Sequence, residues 1–324
     1  MLGMGTHMEK SILVLMKLND DQKRFLESEA PGCNFIYTMN EQLNEEQLKN
    51  ADVIIGNPPA ERLKLSKKLQ LLQLFSAGVG EYSQEGVLPE RTVLANATGA
   101  YGLAISEYML GVLLELYKNL HIYRDNQAGG DWSYAGRVKG IFNSTALIVG
   151  LGDIGGEFAS RLKALGSHTI GIRRTDSGKP DYLDELYLMD KIEELLPRAD
   201  IVALSLPETK LTNKVINKST LQLFKKDAVL INVGRGNAID TEALCDALEN
   251  GQLLGAALDV TDPEPLPKEH RLWRIKNAVI TPHISGGFSL DETKERIVRI
   301  AANNLKSLIE GKKLMNVVDK AKGY

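Results

Sequence analysis

The stretch TALIVGLGDIGGEFASRLKALGSHTIGIRRT, residues 145–175, constrains this chain more than any other. An apolar run, TALIV, leads into Gly150, Gly152 and Gly155 at the spacing G-x-G-x-x-G. Ile154, Phe158, Leu162 and Leu165 then recur at helical intervals, and a second apolar run, HTIGI, closes the unit. Strand, glycine turn, helix and strand make a βαβ unit, whose two strands must lie parallel. Gly150 permits the tight turn, Gly152 lets a phosphate approach the backbone, and Gly155 lets helix and strand pack closely. Amides at the helix start, those of Asp153 and Ile154, face the charge of a pyrophosphate. The unit points to a bound dinucleotide; the plain alternative is a glycine turn without a ligand.

The end of the second strand departs from the usual pattern. An acid there would hold the adenosine ribose hydroxyls, but this chain has Arg173, Arg174 and Thr175. A guanidinium fork suits a 2′-phosphate, which an acid would repel. These residues predict NADP(H) as the preferred cofactor. NAD(H) stays possible, because Asp176 stands close behind and arginines at a solvated strand end also stack on adenine.

The same alternation of apolar strand and helix runs through the chain and predicts α/β architecture with parallel sheets. Strands are expected at 11–15, 34–38, 52–56, 69–75 and 92–97, then at 145–150, 168–172, 200–205, 228–233, 255–260 and 278–282. Between the two groups a single long helix is expected over 101–127, and a last helix over 289–310. LKNADVIIGNPP (48–59) echoes LPRADIVALSLP (196–207), which suggests that both halves use related doubly wound units. The fold class is therefore two doubly wound parallel-sheet lobes: a Rossmann cofactor domain over 100–286, and a discontinuous flavodoxin-like substrate domain over 8–99 plus 287–324. MLGMGTH, residues 1–7, reads as a leader left by cloning.

Bulk composition excludes several other roles. With 39 basic against 42 acidic residues and no arginine-rich tract, nucleic acid is not an expected partner. YMLGVLLELY (108–117) is too short to span a bilayer and carries Glu115. No signal-peptide pattern opens the chain. Cys33 and Cys245 lie far apart without metal or redox spacing, so no metal is expected, and buried thiols in a reducing cytoplasm are.

Three later motifs each end a strand of the second group: LINVGRGNAID (230–240), ALDVTDPEPL (257–266) and VITPHISGG (279–287). Loops at the carboxyl ends of an open α/β sheet face its ligand crevice, so Arg235, Glu264 and His283 can converge there. Singly each has a plain reading: a turn cap, a solvated acid, a satisfied loop histidine.

Taken in order, FSAGVGEY (75–82), the GLGDIG turn, LPETKLTNKVIN (206–217), NVGRG, the D-P-E-P run and TPHISGG resemble the D-isomer-specific 2-hydroxyacid dehydrogenase family over most of the chain. The resemblance implies that Arg235, Glu264 and His283 are the catalytic arginine, glutamate and histidine. His283 would be the general acid/base, Glu264 would fix its tautomer, and Arg235 would hold the ketone and carboxylate oxygens of a 2-oxo acid. It also implies a substrate carboxylate on the backbone amides of Gly78 and Val79, with Asn57 reaching the substrate. Asp259 would lie near the nicotinamide amide, and Pro207 and Thr212 would line the cofactor pocket. Gly80 departs from the family, in which many members carry an acidic or amide side chain.

Arg173 and GGDW (129–132) resemble the NADP-preferring branch that contains glyoxylate and hydroxypyruvate reductases. The implied activity is NADPH-dependent reduction of such a small 2-oxo acid to the D-2-hydroxy acid. Alternatives are an NAD-dependent D-2-hydroxyacid or 3-phosphoglycerate dehydrogenase, or a non-catalytic nucleotide-sensing protein of the corepressor kind. The resemblance further implies a homodimer through 101–140, in which Trp132 either enters the partner's site or anchors the interface. Arg271–Trp273 reads as a packed loop anchor.

Overall fold

The computed structural model describes residues 10–175, 178–288 and 290–320. Residues 1–7, expected to be a leader, and Asp176 lie outside the described residues. The chain divides into two compact units, one running to Ala100 and resuming at Phe288, the other spanning Tyr101–Gly287.

In the first unit β1 (Ser11–Val14), β2 (Asn34–Tyr37), β3 (Val53–Ile55), β4 (Leu71–Gln73) and β5 (Val93–Ala95) form one parallel sheet in the order β2-β1-β3-β4-β5. These strands read as unbroken apolar runs because helices cover both faces. Successive side chains point to opposite faces. Leu13, Ile54 and Leu72 therefore enter one core, while Ile12, Val14 and Val53 enter another. That second core is closed by Val298, Ala301 and Leu305 of the helix Asp291–Ile309. The amide nitrogen of Asn304 on the same helix donates to Gln73 Oε1 (2.7 Å) at the end of β4. The carboxyl-terminal helix is thus part of the first unit.

In the second unit β6 (Thr145–Val149), β7 (His168–Arg173), β8 (Glu185–Leu188), β9 (Ile201–Leu204), β10 (Val229–Asn232), β11 (Gly255–Leu258) and β12 (Ala278–Ile280) form a parallel sheet ordered β12-β11-β10-β9-β6-β7-β8. Strand order reverses between β6 and β9, and open α/β sheets bind ligands beyond the carboxyl ends of the strands at such a reversal. No helix among the described residues is long and apolar enough to cross a membrane. Cys245 is wholly buried, and burial pushes its thiol up to about 11.

The echo between residues 48–59 and 196–207 has a structural cause. Asp52 accepts the amide of Ser11 (2.9 Å) at the start of β1, and Asp200 accepts the amide of Thr145 (2.8 Å) at the start of β6. In each unit the Ala-Asp pair precedes the strand beside the first one. Its carboxylate satisfies an amide that the ladder leaves unpaired.

Two expectations fail. β8 was not expected, because ELYL sits among charged residues on a sheet edge, where only half-burial holds it. The single helix over 101–127 is two helices, Gly102–Tyr117 and Leu120–Gly129. Asn119 breaks it with φ 57°, a left-handed conformation that asparagine tolerates better than most residues, and its side chain reaches the carbonyls of Ala135 and Arg137.

Candidate active site

The glycine turn joins β6 to the helix Asp153–Ala164. Gly150 has φ 98°, and a Cβ on it would meet the carbonyl of Ser205. A Cβ on Gly155 would collide with the carbonyl oxygen of Gly150, so strand and helix approach as closely as backbone allows. Gly152 differs. Beyond its chain neighbours, no atom of the described residues lies within 4 Å of a Cβ built there, so the described fold does not require glycine at this position. Open space over the amino terminus of a twelve-residue helix, with the amides of Asp153 and Ile154 in its first turn, fits a pyrophosphate. The Asp153 carboxylate turns the other way and accepts the amides of Tyr101 (3.2 Å) and Gly102 (2.8 Å), capping the helix Gly102–Tyr117. Gly102 is needed there, because a side chain would overlap that carboxylate.

At the end of β7, Arg173 is half-buried and donates through one guanidinium nitrogen to the Gly178 carbonyl (2.7 Å). Its buried Nε has no hydrogen-bond partner among the described residues. A surface pocket of about 290 Å³ beside it is lined also by Leu188, Asp190 and Lys191. Arg174 and Thr175 are exposed. After β9, Ser205 Oγ donates to the Gly150 carbonyl (2.9 Å), tying this loop to the glycine turn. Buried Thr212 donates to the carbonyl of exposed Pro207 (2.8 Å) and accepts the Thr209 amide (2.9 Å), so its hydroxyl shapes the loop.

Arg235 sits in a turn built by its neighbours. Buried Asn232, which ends β10, donates to the Arg235 carbonyl (2.9 Å) and accepts the Gly234 amide (3.0 Å). A Cβ on Gly234 would strike the backbone of Leu206, and one on Gly236 the backbone of Thr261. The two glycines therefore wedge Arg235 between the loops that follow β9 and β11. Its guanidinium donates to the Gly234 carbonyl (2.7 Å).

The loop after β11 carries Glu264, and its far end is anchored where Arg271 pairs with Glu242, Asp246 and Glu249, with Leu272 fully buried. The loop after β12 carries His283. The two meet: His283 Nδ1 lies 2.6 Å from Glu264 Oε1. The carboxylate accepts, so Nδ1 bears the hydrogen and Nε2 is left for exchange. His283 adopts φ 53°, a left-handed conformation that a non-glycine residue holds only under constraint.

Asp259 supplies that constraint. It is buried, and Thr281 Oγ1 (2.6 Å) and the Ile284 amide (2.9 Å) donate to one of its oxygens. The amide (3.0 Å) and hydroxyl (2.5 Å) of Ser285 donate to the other. The resemblance implied a place beside the nicotinamide amide; the structure engages both oxygens in the loop that carries His283.

In the first unit, the turn after β4 presents backbone. The carbonyls of Ser76, Ala77 and Gly78 accept from the Ala97 amide (3.0 Å), the Asn96 side chain (2.8 Å) and the Ser76 hydroxyl (2.7 Å). Because peptides are trans, pinning these carbonyls turns the amides of Ala77, Gly78 and Val79 the opposite way. Val79 is right-handed (φ −102°, ψ −19°) and Gly80 left-handed (φ 47°), the succession that forms an anion-binding nest. That explains the Gly80 departure: glycine, asparagine and aspartate share tolerance of the left-handed region. Asn57 braces the turn, accepting the Phe75 amide (3.1 Å) and donating to Ser76 Oγ (2.9 Å).

Asn232, Gly236, Ser76 and Asn96 were not singled out from sequence. The position of Asn232 at a strand end, opening NVGRG, was the one available signal.

Comparison with known proteins places these features in a wider group. The family description D-isomer specific 2-hydroxyacid dehydrogenase, NAD binding domain, matches residues 110–285. The chain is 31% identical over 290 residues to a glyoxylate reductase of Thermococcus litoralis, covering 85% of this chain and 86% of that protein. It is also 31% identical over 317 residues to a D-3-phosphoglycerate dehydrogenase of Methanocaldococcus jannaschii, covering 95% of this chain but 59% of that longer protein. A solved D-isomer specific 2-hydroxyacid dehydrogenase family protein from Aeromonas salmonicida aligns with a TM-score of 0.85 at 29% identity, over 97% of this chain and 100% of that one.

The two turn glycines are expected to separate experimentally. Gly152→Ala should leave the melting temperature of the ligand-free protein unchanged and weaken reduced-cofactor binding at least about tenfold, by closing the backbone approach. Gly155→Ala should lower both, because its Cβ collides within the protein. Equal melting losses in the two variants would contradict this division.

Proposed function

The chain belongs to the D-isomer specific 2-hydroxyacid dehydrogenase family, and on that premise we propose that it reduces a small 2-oxo acid, of the glyoxylate or hydroxypyruvate kind, to the D-2-hydroxy acid with NADPH in preference to NADH. The observation that carries the reading is the His283–Glu264 pair at 2.6 Å, with Nε2 left for a substrate oxygen.

A nicotinamide cofactor, when bound, would supply the hydride. The chain does the rest. Arg235 holds the ketone oxygen and one carboxylate oxygen of the substrate, polarising the carbonyl and fixing which face is presented. His283, protonated on both ring nitrogens at the start of the reduction, donates its Nε2 proton to the alkoxide as charge develops there and is left neutral with its hydrogen on Nδ1; in the reverse direction Nε2 takes the proton back. Glu264 holds the imidazole ring in the orientation and tautomer that this transfer needs. The amides of Gly78 and Val79, beside the nest at Val79–Gly80, are suited to holding a carboxylate.

The preference for NADPH rests on Arg173. Its Nε is buried without a partner among the described residues, and Lys191 lines the adjoining pocket together with Asp190, so an added phosphate would find two cations, one of them with an unsatisfied donor, against a single acid. Arg174 and Thr175 flank it on the exposed side. We also infer a homodimer through residues 101–140. Trp132, Tyr134 and Val138 are exposed there, and Trp132 is wholly solvent-accessible, which is unusual for side chains this large.

Steady-state rates with glyoxylate, hydroxypyruvate, pyruvate and phosphohydroxypyruvate, each with both reduced cofactors, test the reading. Glyoxylate or hydroxypyruvate with NADPH should give the highest kcat/KM. Arg173→Ala should remove most of the preference, a change of about tenfold or more for a lost charged contact. Preference for phosphohydroxypyruvate with NADH would favour the phosphoglycerate-type alternative, and cofactor binding without turnover would favour a sensor. For the dimer, Trp132→Glu should sediment as a monomer at concentrations where the parent protein sediments as a dimer; a monomeric parent would overturn that assignment.

A further inference from the structure

Tyr108 lies on the helix Gly102–Tyr117, and its hydroxyl is 2.6 Å from Thr281 Oγ1. The direction of that bond follows from chemistry. Thr281 has one hydroxyl proton, and it goes to Asp259 Oδ1 at 2.6 Å. Tyr108 must therefore donate. Burial pushes the Tyr108 phenol up to about 12, so it keeps its proton across the neutral range. The result is a directed chain, Tyr108 to Thr281 to Asp259, that ends on the carboxylate gripping residues 284 and 285.

The grip has a specific consequence at residue 283. The His283 amide donates to the carbonyls of Asp259 (2.9 Å) and Thr281 (3.0 Å), so the residues before and after the histidine are bound to the same aspartate. Left-handed backbone at a histidine persists when its surroundings over-determine it. Remove one donor and Asp259 has a buried lone pair without a partner, while Tyr108 loses its acceptor. A loop relaxed toward ordinary backbone angles would carry the imidazole away from Glu264.

We propose that Tyr108 and Thr281 are positioning residues for His283, acting through the Asp259 carboxylate. Neither side chain is assigned contact with substrate or cofactor. The inference rests on the reading of His283 as the proton donor for its effect on rate, but not for its effect on the loop.

The test uses Thr281→Val, which keeps shape and removes the donor, Thr281→Ser, which restores the hydroxyl, and Tyr108→Phe. Two readouts are taken on the 324-residue chain: kcat and KM for glyoxylate with NADPH, and hydrogen exchange of the Ile284 and Ser285 amides by NMR. Thr281→Val should exchange those two amides at least about tenfold faster and lower kcat by a similar factor, with the KM for NADPH within about twofold of the parent. Tyr108→Phe should move both readouts the same way by a smaller factor, and Thr281→Ser should return both toward the parent. Unchanged exchange in Thr281→Val, or Thr281→Ser as impaired as Thr281→Val, would overturn the proposal. If the parent protein turns over no 2-oxo acid while exchange still responds, the proposed activity falls and the positioning of the loop stands.

Discussion

A buried carboxylate that receives four hydrogen bonds is the constraint on which the geometry of the candidate site depends. Asp259 ends β11, and its oxygens gather Thr281, Ile284 and Ser285 around a histidine in a left-handed conformation. Such a conformation costs on the order of 1–3 kcal/mol at a non-glycine residue. Charged hydrogen bonds contribute about 1.5–3 kcal/mol each, so several of them outweigh that cost. The strain is thus localised at the residue whose imidazole meets Glu264.

The same logic, backbone held by side chains or by close glycine contact, recurs around the site. Asn232 and the flanking glycines wedge Arg235 between two loops. Ser205 ties the loop after β9 to the glycine turn. In the first unit, Ser76 and Asn96 pin carbonyls so that amides face outward. The sheets supply strand ends, and short polar side chains decide which way the loops beyond them present their groups.

Much of this was legible in the residues and part of it was not. Parallel strands packed under helices leave apolar runs, and each of the eleven strands expected from the sequence is found. β8 was missed because an edge strand buries one face, and ELYL carries its polar residues within a charged stretch. The break at Asn119 was missed because a left-handed asparagine leaves no mark in helical periodicity. The Gly150–Gly155 turn and the His283–Glu264 pairing follow from motif spacing and strand ends. The loop contacts of Asp259 do not, because nothing in the sequence shows that residues 281–285 gather around its carboxylate.

The central claim, that His283 as held by Glu264 transfers the proton, is tested most directly by a rapid-mixing single turnover. The chemical step is followed as cofactor oxidation after glyoxylate is added to protein saturated with NADPH. His283→Ala should slow this step by at least about 100-fold, the contribution of a positioned general acid, while the Kd for NADPH stays within about twofold of the parent. A step that runs near the parent rate in that variant would contradict the account.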